Sequence, residues 1–462
     1  MDDGASPLFI SCEKGHTEIV NILLNNKADI NKCRVTGASP LFISCQEGHT
    51  EIVNILLNNK ADINKCMDDG ASPLFISCQK GHTEIVNILL NNKADINKCR
   101  VNDGASPLFI SCQEGHTEIV NILLNNKADI NKCRVNDGTS PLFISCQEGH
   151  TEIVNILLNN KADINKCMDD GASPLFISCE KGHTEIVNIL LNNKADITKC
   201  MDDGTSPLFI ACQGGHTEIM NILLNNKADI NKCTDDGTSP LFISCQEGHT
   251  EIVNILLNNK ADINKCRVND GTSPLFMSCQ EGHTEIVNIL LNNKADITKC
   301  MDDGTSPLFI SCQEGHTEIV NILLNNKADI NKCMDDGASP LFISCQEGHA
   351  EIVNILLNNK ADINKCMVTG ASPLFISCQK GHTEIVNILL NNKADINKCT
   401  DDGASPLFIS CQEGHTEIVN ILLNNKADIK KGTNSGTSPL TIALLNGHAS
   451  IADALRYNEV SH

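Results

Sequence analysis

One tripeptide, Ser-Pro-Leu, recurs along the whole chain at a nearly constant interval. The spacing between its prolines is 33 residues except at three steps of 34, where the junction reads Arg-Val-Asn-Asp. Because turns tolerate a one-residue insertion and packed helices do not, the junction is predicted to be a turn. Fourteen copies fill the 462 residues, so the two to four separate domains that such a length usually suggests are not expected. The prolines are Pro7, Pro40, Pro73, Pro107, Pro141, Pro174, Pro207, Pro240, Pro274, Pro307, Pro340, Pro373, Pro406 and Pro439.

The first copy predicts two short helices. Ser6 is a good N-cap, Pro7 suits the first helical position, and Gly15 can end the helix in a left-handed conformation. Thr17 is predicted to cap the second helix, with Glu18 in its first turn, where the helix dipole favours an anion. The second helix is apolar over most of its circumference, so it needs its sister helix and both neighbouring copies to bury it.

The remainder of the copy is predicted to be a loop. Residues 28–33, Ala-Asp-Ile-Asn-Lys-Cys, are expected to be extended, and Asp-Gly at the next junction is typical of a tight turn. Each copy should therefore be helix, turn, helix and a projecting hairpin-like loop.

A 33-residue period carrying Asp-x-Gly-x-Ser-Pro-Leu, Gly-His-x-Glu-Ile-Val, Leu-Leu and Ala-Asp-Ile-Asn resembles the ankyrin repeat. The resemblance covers the whole chain and implies an all-α ankyrin-repeat solenoid. Three departures from the family pattern involve four residues. Phe9 replaces a histidine, Ser11 and Cys12 replace the paired small residues, and Lys27 replaces a glycine, at a cost of about 1 kcal/mol if its backbone is left-handed. The Phe series from Phe9 to Phe408 is either inter-repeat core, which we favour, or an apolar stripe for a partner.

The two ends of the array differ. Residues 1–432 are thirteen near-identical repeats, whereas residues 433–462 form a divergent repeat with Ala452, Ala454 and Arg456 at positions that are apolar and larger elsewhere. This change is what a C-terminal capping repeat needs, since nothing stacks beyond it. Met1-Asp2-Asp3-Gly4 is identical to several internal junctions, and the first repeat is as apolar as the internal ones. We therefore expect its outer face to be exposed and the chain to be the C-terminal part of a longer repeat protein.

The charge of the chain restricts its partners. A formal net charge of −21 argues against nucleic acid and anionic membrane surfaces, both of which need Lys and Arg. It favours proteins with basic or extended surfaces, unless the acidic residues only form a solvated face. We find neither a signal peptide nor an apolar run long enough to span a membrane. A monomeric array is expected.

The 25 cysteines form two series, one represented by Cys12 and the other by Cys33. Equivalent positions in stacked repeats should lie roughly 8–10 Å apart, whereas disulfides need Cα atoms within about 7 Å. The cysteines are therefore expected to be free thiols in a reducing compartment. Together with the absence of a glycosylation sequon, this predicts a cytoplasmic or nuclear location. Cys12 and His16 supply only half of a tetrahedral zinc site, so no metal is expected.

No catalytic motif or nucleotide-binding fingerprint occurs. The fourteen Gly-His pairs, beginning at His16, lie in the turn between helices and are interpreted as structural. A repeat also produces identical groups in rows, whereas catalysis needs unlike groups converging on one pocket. The chain is therefore predicted to be neither an enzyme nor a cofactor carrier.

Differences between the repeats concentrate at the loop junctions and at the end of the first helix. In ankyrin-repeat proteins these loop tips and first helices line the concave surface that binds partners, so the resemblance assigns the contact surface to them. The alternative is that exposed positions simply drift. The candidate contact residues are Asp68, Asp69, Asp169, Asp170, Asp202, Asp203, Asp302, Asp303, Glu314, Asp335 and Asp336.

A second resemblance concerns asparagine. The spacing of Leu23, Asp29, Ile30 and Asn31 is similar to that which asparaginyl hydroxylases accept in ankyrin repeats. The alternative, which we favour, is an asparagine that stabilises the loop. Three repeats have Thr198, Thr298 and Lys430 at this position instead. The candidate hydroxylation sites are Asn31, Asn64, Asn97 and Asn131.

Three functions are compatible with these features. The leading hypothesis is a protein-interaction scaffold or adaptor that binds through the concave face. The second is a targeting or regulatory arm of a larger multidomain protein truncated at Met1, and the third is a structural spacer or spring.

Overall fold

The computed structural model describes residues 4–461, and the side chains up to Glu459. All regular structure in this part of the chain is helical, as expected for an all-α repeat fold. The chain divides into two compact units, the first ending at Asp235 and the second starting at Asp236. Each unit consists of helix pairs that stack on their neighbours in sequence order.

The first unit contains fourteen helices, two per repeat. They are α1 Pro7–Glu13, α2 Thr17–Asn25, α3 Pro40–Gln46, α4 Thr50–Asn58, α5 Pro73–Lys80, α6 Thr83–Asn91, α7 Pro107–Gln113, α8 Thr117–Asn125, α9 Pro141–Gln147, α10 Thr151–Asn159, α11 Pro174–Glu180, α12 Thr184–Asn192, α13 Pro207–Gln213 and α14 Thr217–Asn225.

The second unit repeats this arrangement. Its helices are α15 Pro240–Gln246, α16 Thr250–Asn258, α17 Pro274–Gln280, α18 Thr284–Asn292, α19 Pro307–Gln313, α20 Thr317–Asn325, α21 Pro340–Glu347, α22 Ala350–Asn358, α23 Pro373–Lys380, α24 Thr383–Asn391, α25 Pro406–Glu413, α26 Thr416–Asn424, α27 Pro439–Leu445 and α28 Ala449–Ser461.

The first helix of each repeat begins as predicted. In α5 the hydroxyl oxygen of Ser72 accepts the backbone N–H of Phe75 at 3.1 Å, and Pro73 occupies the first helical position. The helix ends at Gly81, whose left-handed φ of 78° lets the chain turn sharply into the next helix. The N-cap of the first helix is therefore confirmed, and so is the glycine that ends it.

The predicted cap of the second helix is wrong. Thr17 is the first residue of α2 rather than its N-cap, which is His16, and the cap residue makes no side-chain hydrogen bond. The reason is the glycine turn: the Thr17 N–H already donates to the carbonyl of Gly15 at 3.0 Å, which places the histidine at the cap. The same arrangement occurs at the later repeats, for example at His82 before α6.

The core lies between the helix pairs. Phe75 is 1% exposed and Cys78 is fully buried, and in α6 the side chains of Val86 and Leu89 are fully buried. Every phenylalanine from Phe9 to Phe408 is between 1% and 8% exposed, which confirms the series as inter-repeat core. Burying a side chain of this size contributes about 1.5–3 kcal/mol, so the stacked phenylalanines are a large part of what holds neighbouring repeats together.

The lysine that replaces the usual glycine has the left-handed backbone expected of it. Lys27 and its twelve equivalents have φ between 62° and 71°. A side chain in this conformation costs about 1–2 kcal/mol. The conformation is held by two backbone hydrogen bonds, from the Lys27 N–H to the Leu24 carbonyl at 2.9 Å and from the Ala28 N–H to the Leu23 carbonyl at 3.0 Å. These lysines are the strained positions of each repeat.

The loop differs from the sequence prediction. Residues 28–33 are not extended, because Ile30 and Asn31 form a turn. The carboxylate of Asp29 accepts the N–H of Asn31 at 3.0 Å, and the Lys32 N–H donates to the Asp29 carbonyl at 3.3 Å. When an aspartate side chain accepts the backbone N–H two residues ahead, the chain turns locally instead of remaining extended.

The junction turns are as predicted. In the longer junction 100–103 the extra residue lies in the turn, and the Gly104 N–H closes it on the Arg100 carbonyl at 2.8 Å. The first repeat also exposes the apolar face expected of it: Ile19 is 46% exposed, whereas Ile52 at the equivalent position is 1% exposed.

Candidate partner-binding surface

The junction turns of neighbouring repeats are joined along one edge, which we call the loop edge. The second residue of each junction, the tip residue, donates its backbone N–H to a carbonyl of the preceding junction. The bond from Asp202 to Asp170 and the bond from Asp302 to Asp270 are both 2.9 Å long. Whatever the tip side chain is, its backbone is therefore held in the same way.

The acidic pairs proposed as contact residues divide into two kinds. The second aspartate of each pair stabilises its own turn, since its carboxylate accepts the N–H two residues ahead at 2.9–3.0 Å. The first aspartate is the tip residue, and its side chain is exposed. The second aspartates are Asp69, Asp170, Asp203, Asp303 and Asp336, and the first are Asp68, Asp169, Asp202, Asp302 and Asp335.

All but one of the candidate residues are exposed, Asp69 being half-buried. Glu314 lies at the end of α19, where the side-chain amide of Gln313 donates to its carboxylate at 3.3 Å. The tip aspartates make no ion pair with another residue of the described chain, so their charges are not neutralised locally.

Sequence reasoning missed five valines at tip positions. Their side chains are between 67% and 73% exposed, which makes them the most exposed aliphatic β-branched residues of the loop edge. The signal was available, because these valines stand where other repeats have the first aspartate. They are Val35, Val101, Val135, Val268 and Val368.

Arginines lie beside most of these valines. The guanidinium of Arg100 stacks on Phe75 of the preceding repeat, 5.4 Å from the ring centre, and forms an ion pair with Asp103. The hydrogen bond that the Arg100 guanidinium donates to the Asp103 carboxylate lowers the pKa of Asp103 below its ordinary value. Arg134 on Phe109 and Arg267 on Phe242 repeat the stacking at 5.4 and 5.6 Å. The guanidinium of each arginine thus covers a core phenylalanine, while the neighbouring tip valine is exposed.

In each unit the tips follow a definite order along the chain. In the first unit the described tips begin with Val35 and Asp68. The consecutive tips Val101 and Val135 are then apolar, and the last three are acidic, namely Asp169, Asp202 and Asp235. The second unit has the tips Val268, Asp302, Asp335, Val368, Asp401 and Asn434. From Val101 onward the first unit therefore presents an apolar stretch followed by an acidic one.

The histidines are structural, and their main contact is with the neighbouring repeat. The Nε2 atom of His150 lies 3.0 Å from the carbonyl oxygen of Gln113, so that nitrogen carries the proton and donates it. Its ring also covers Gly115, where an added Cβ would lie 2.7 Å from Cε1. In residues 4–461 we find no group of three or more His, Cys, Asp or Glu side chains that could hold a metal ion.

The cysteines are free thiols, as expected from their spacing. The Cys12 series is buried in the core and the Cys33 series is half-buried. Burial raises the pKa of Cys45 to about 12, although a hydrogen bond with Ser77 of the next repeat opposes part of the shift. Thiols held neutral in this way are inert fillers rather than nucleophiles.

The candidate hydroxylation sites have a structural role in the loop. The side-chain oxygen of Asn31 accepts the N–H of Asp62 from the next repeat at 2.9 Å, and Asn64, Asn97 and Asn131 do the same. These asparagines are exposed, and their bonds support the loop-stabilising interpretation.

The comparison with known families agrees with this architecture. A family model described as ankyrin repeats (3 copies) matches seven overlapping stretches, residues 1–67, 59–134, 128–200, 193–267, 264–334, 328–399 and 374–461. The search of curated proteins found no match. Within residues 4–461, none of the helices combines the length and the apolar character needed to cross a membrane. Repeats of this kind are generally protein–protein interaction modules and typically not enzymes. With helix pairs of this geometry and family matches from residue 1 to residue 461, the chain belongs to the ankyrin-repeat family.

Proposed function

We propose that the chain is a protein-interaction scaffold or adaptor that binds a partner through its loop edge. The observation that supports this is the alternation of aspartate and valine at the tip position. The tip backbone makes the same hydrogen bond in both cases, as in Asp202 and Val101. Because the fold accepts either residue, the identity of the tip residue affects which partner the surface binds rather than the stability of the turn.

The order of the tips in the first unit supports a partner of defined chemistry. Val101 and Val135 offer adjacent apolar side chains, and burying a valine contributes about 1.5 kcal/mol or more. Asp169, Asp202 and Asp235 then offer three exposed carboxylates. A partner segment that complements this surface would carry a block of apolar residues to contact the valines and, next to it, a block of Lys and Arg to contact the aspartates. The carboxylates would mainly steer its approach and select its orientation.

Synthetic peptides test the proposal on the full chain. One fluorescent peptide carries a block of leucines next to a block of lysines, and a second has glutamates in place of the lysines. Fluorescence anisotropy should show saturable binding of the first peptide only. That binding should weaken as salt rises, because exposed charges are screened.

Matched variants localise the site. Replacing Asp169, Asp202 and Asp235 together by Asn should weaken binding, at about 0.2–1 kcal/mol for each exposed charge. The control removes the same number of exposed carboxylates from second helices, as Glu152→Gln, Glu185→Gln and Glu218→Gln. Equal losses in the two triple variants would contradict a site on the loop edge, as would equal binding of the glutamate peptide.

The remaining assignments stay proposals of the same kind. We propose a non-catalytic, monomeric array in the cytoplasm, with residues 433–462 as its capping repeat. Asn31, Asn64, Asn97 and Asn131 remain candidate hydroxylation sites, and each can be checked by the 16 Da that one oxygen atom adds to its peptide.

A further inference from the structure

A hydrogen bond between neighbouring loops, which we call the Asn bridge, recurs along both units. In each bridge the side-chain oxygen of an asparagine accepts the backbone N–H of the aspartate in the next repeat. Nine such bonds have lengths of 2.9–3.0 Å. The bond from Asp296 to Asn264 is one example. A carboxamide is thus the group with which the fold itself satisfies this donor.

Two repeats lack the bridge because a threonine replaces the asparagine. The hydroxyl of Thr298 turns back and donates to the carboxylate of Asp296 at 2.6 Å, and Thr198 does the same with Asp196. A threonine side chain is too short to reach the next repeat. The backbone N–H groups of Asp229 and Asp329 therefore have no acceptor among the described residues.

A cavity lies at each of these two positions. The cavity at Thr298 has a volume of about 300 Å³, and the one at Thr198 has a volume of about 160 Å³. Both are far larger than the roughly 10–15 Å³ that one water requires. The walls of the larger cavity combine apolar side chains with polar and charged groups of both signs. The lining residues are Ile297, Leu308, Ala328, Cys300, Thr298, Ser306, Asp329 and Lys332.

The chemistry of the cavity selects the ligand. The free N–H of Asp329 needs an acceptor, and the apolar wall suits a short aliphatic stem. A carboxylate would supply the acceptor and would be attracted by Lys332, but it would also be repelled by the carboxylate of Asp329 and by that of Asp296, which accepts the Thr298 hydroxyl. A neutral carboxamide provides the acceptor without the charge, and its NH₂ group can donate to those same carboxylates.

We propose that the cavities at Thr198 and Thr298 are binding sites for the carboxamide of an asparagine or glutamine side chain from a bound protein. The inserted group takes the place that the chain's own asparagine occupies at the other junctions. This site is separate from the loop edge and does not depend on it, since its donor and most of its walls belong to the loops that follow the second helices. The other wall residues, Ser306 and Leu308, lie at the start of α19.

The test uses the full chain, deuterated and labelled with ¹⁵N-aspartate, and the peptide N-acetyl-Gly-Gln-Gly-N-methylamide. Transverse-relaxation-optimised NMR spectra should show saturable downfield shifts of the Asp229 and Asp329 amides. The Asp296 amide, which is already bonded to Asn264, should not shift. Matched peptides with Glu or Ala in place of Gln should bind with about tenfold lower affinity, which corresponds to about 1.4 kcal/mol.

The variant Thr298→Asn supplies the control within one molecule. It rebuilds the Asn bridge and should abolish the response of Asp329 while leaving that of Asp229, which also shows that the variant is folded. The proposal is overturned if neither amide shifts, if the Glu or Ala peptide acts as strongly as the Gln peptide, or if Asp329 still responds in Thr298→Asn. Binding of the Gln peptide without binding of the leucine–lysine peptide would refute the loop-edge proposal alone.

Discussion

Replacing Gly115 by alanine should weaken one inter-repeat junction strongly. Gly115 follows α7 with a φ of 79°, in the left-handed region. An alanine Cβ there would lie 2.7 Å from Cε1 of His150, which belongs to the next repeat. The substitution therefore strains the backbone and displaces the histidine from its bond with the carbonyl of Gln113.

The size of the effect follows from these two contributions. A left-handed alanine costs about 1–2 kcal/mol, and its stiffer unfolded chain offsets about 0.4–1 kcal/mol of that. Losing the histidine hydrogen bond costs about 0.5–1.5 kcal/mol more. We expect a total loss of about 2 kcal/mol at the junction of α7 and α8 with α9 and α10.

Urea unfolding followed by circular dichroism measures the loss. The curves should be fitted with a nearest-neighbour description, because an array of repeats need not unfold in one step. The fitted free energy of the affected junction should fall by about 2 kcal/mol. Gly447→Ala is a matched control, since Gly447 has a φ of 77° but nothing within 4 Å of the added Cβ.

A double-mutant cycle isolates the contact with the histidine. In a His150→Ala background Gly115→Ala should cost only what the backbone strain costs, about 1 kcal/mol or less. If the cost of Gly115→Ala is the same with and without His150, the contact contributes nothing and the reasoning is refuted.

Three further predictions concern the thiols and the Asn bridge. Ellman's reagent should modify the twelve half-buried cysteines of the native chain and reach the thirteen buried ones only after unfolding, and rapid modification of all 25 would contradict the burial. Burial raises the pKa of Cys45 and Cys78 from 9.0 to about 12, so unfolded thiols release protons that folded ones keep. This contribution to stability is fully present below pH 9 and is lost as pH rises towards 12, so the urea midpoint should fall steeply in that range and not between pH 6 and 8. Asn264→Thr should remove the bond to Asp296 and lower the stability of its junction by about 1 kcal/mol, whereas Asn269→Thr, in the nearby junction turn, should have a much smaller effect.

Local features of each repeat could be predicted from the sequence. The Ser-Pro start of α5, the glycine end at Gly81 and the left-handed lysines such as Lys27 depend on residues within one or two turns of the chain. The phenylalanine core was predictable as well, because a short helix that is apolar over most of its girth has to be covered by its neighbours. Two local predictions were wrong, the Thr17 cap and the extended segment 28–33. In both cases a backbone N–H is bonded within a tight turn, that of Thr17 to the Gly15 carbonyl and that of Asn31 to the Asp29 carboxylate.

Only the tertiary structure decided which side chains join neighbouring repeats and which face outward. His150 bonds to Gln113, 37 positions away, and Asp62 bonds to Asn31, 31 positions away. The repeat period alone does not predict which side chains meet across such a separation. The division of each acidic pair into a turn residue and a tip residue likewise depends on the backbone bond to the preceding junction. The repeat unit is thus determined by local propensity and apolar pattern. The loop edge and the cavities at Thr198 and Thr298 exist only because stacking brings unlike positions of successive repeats into contact.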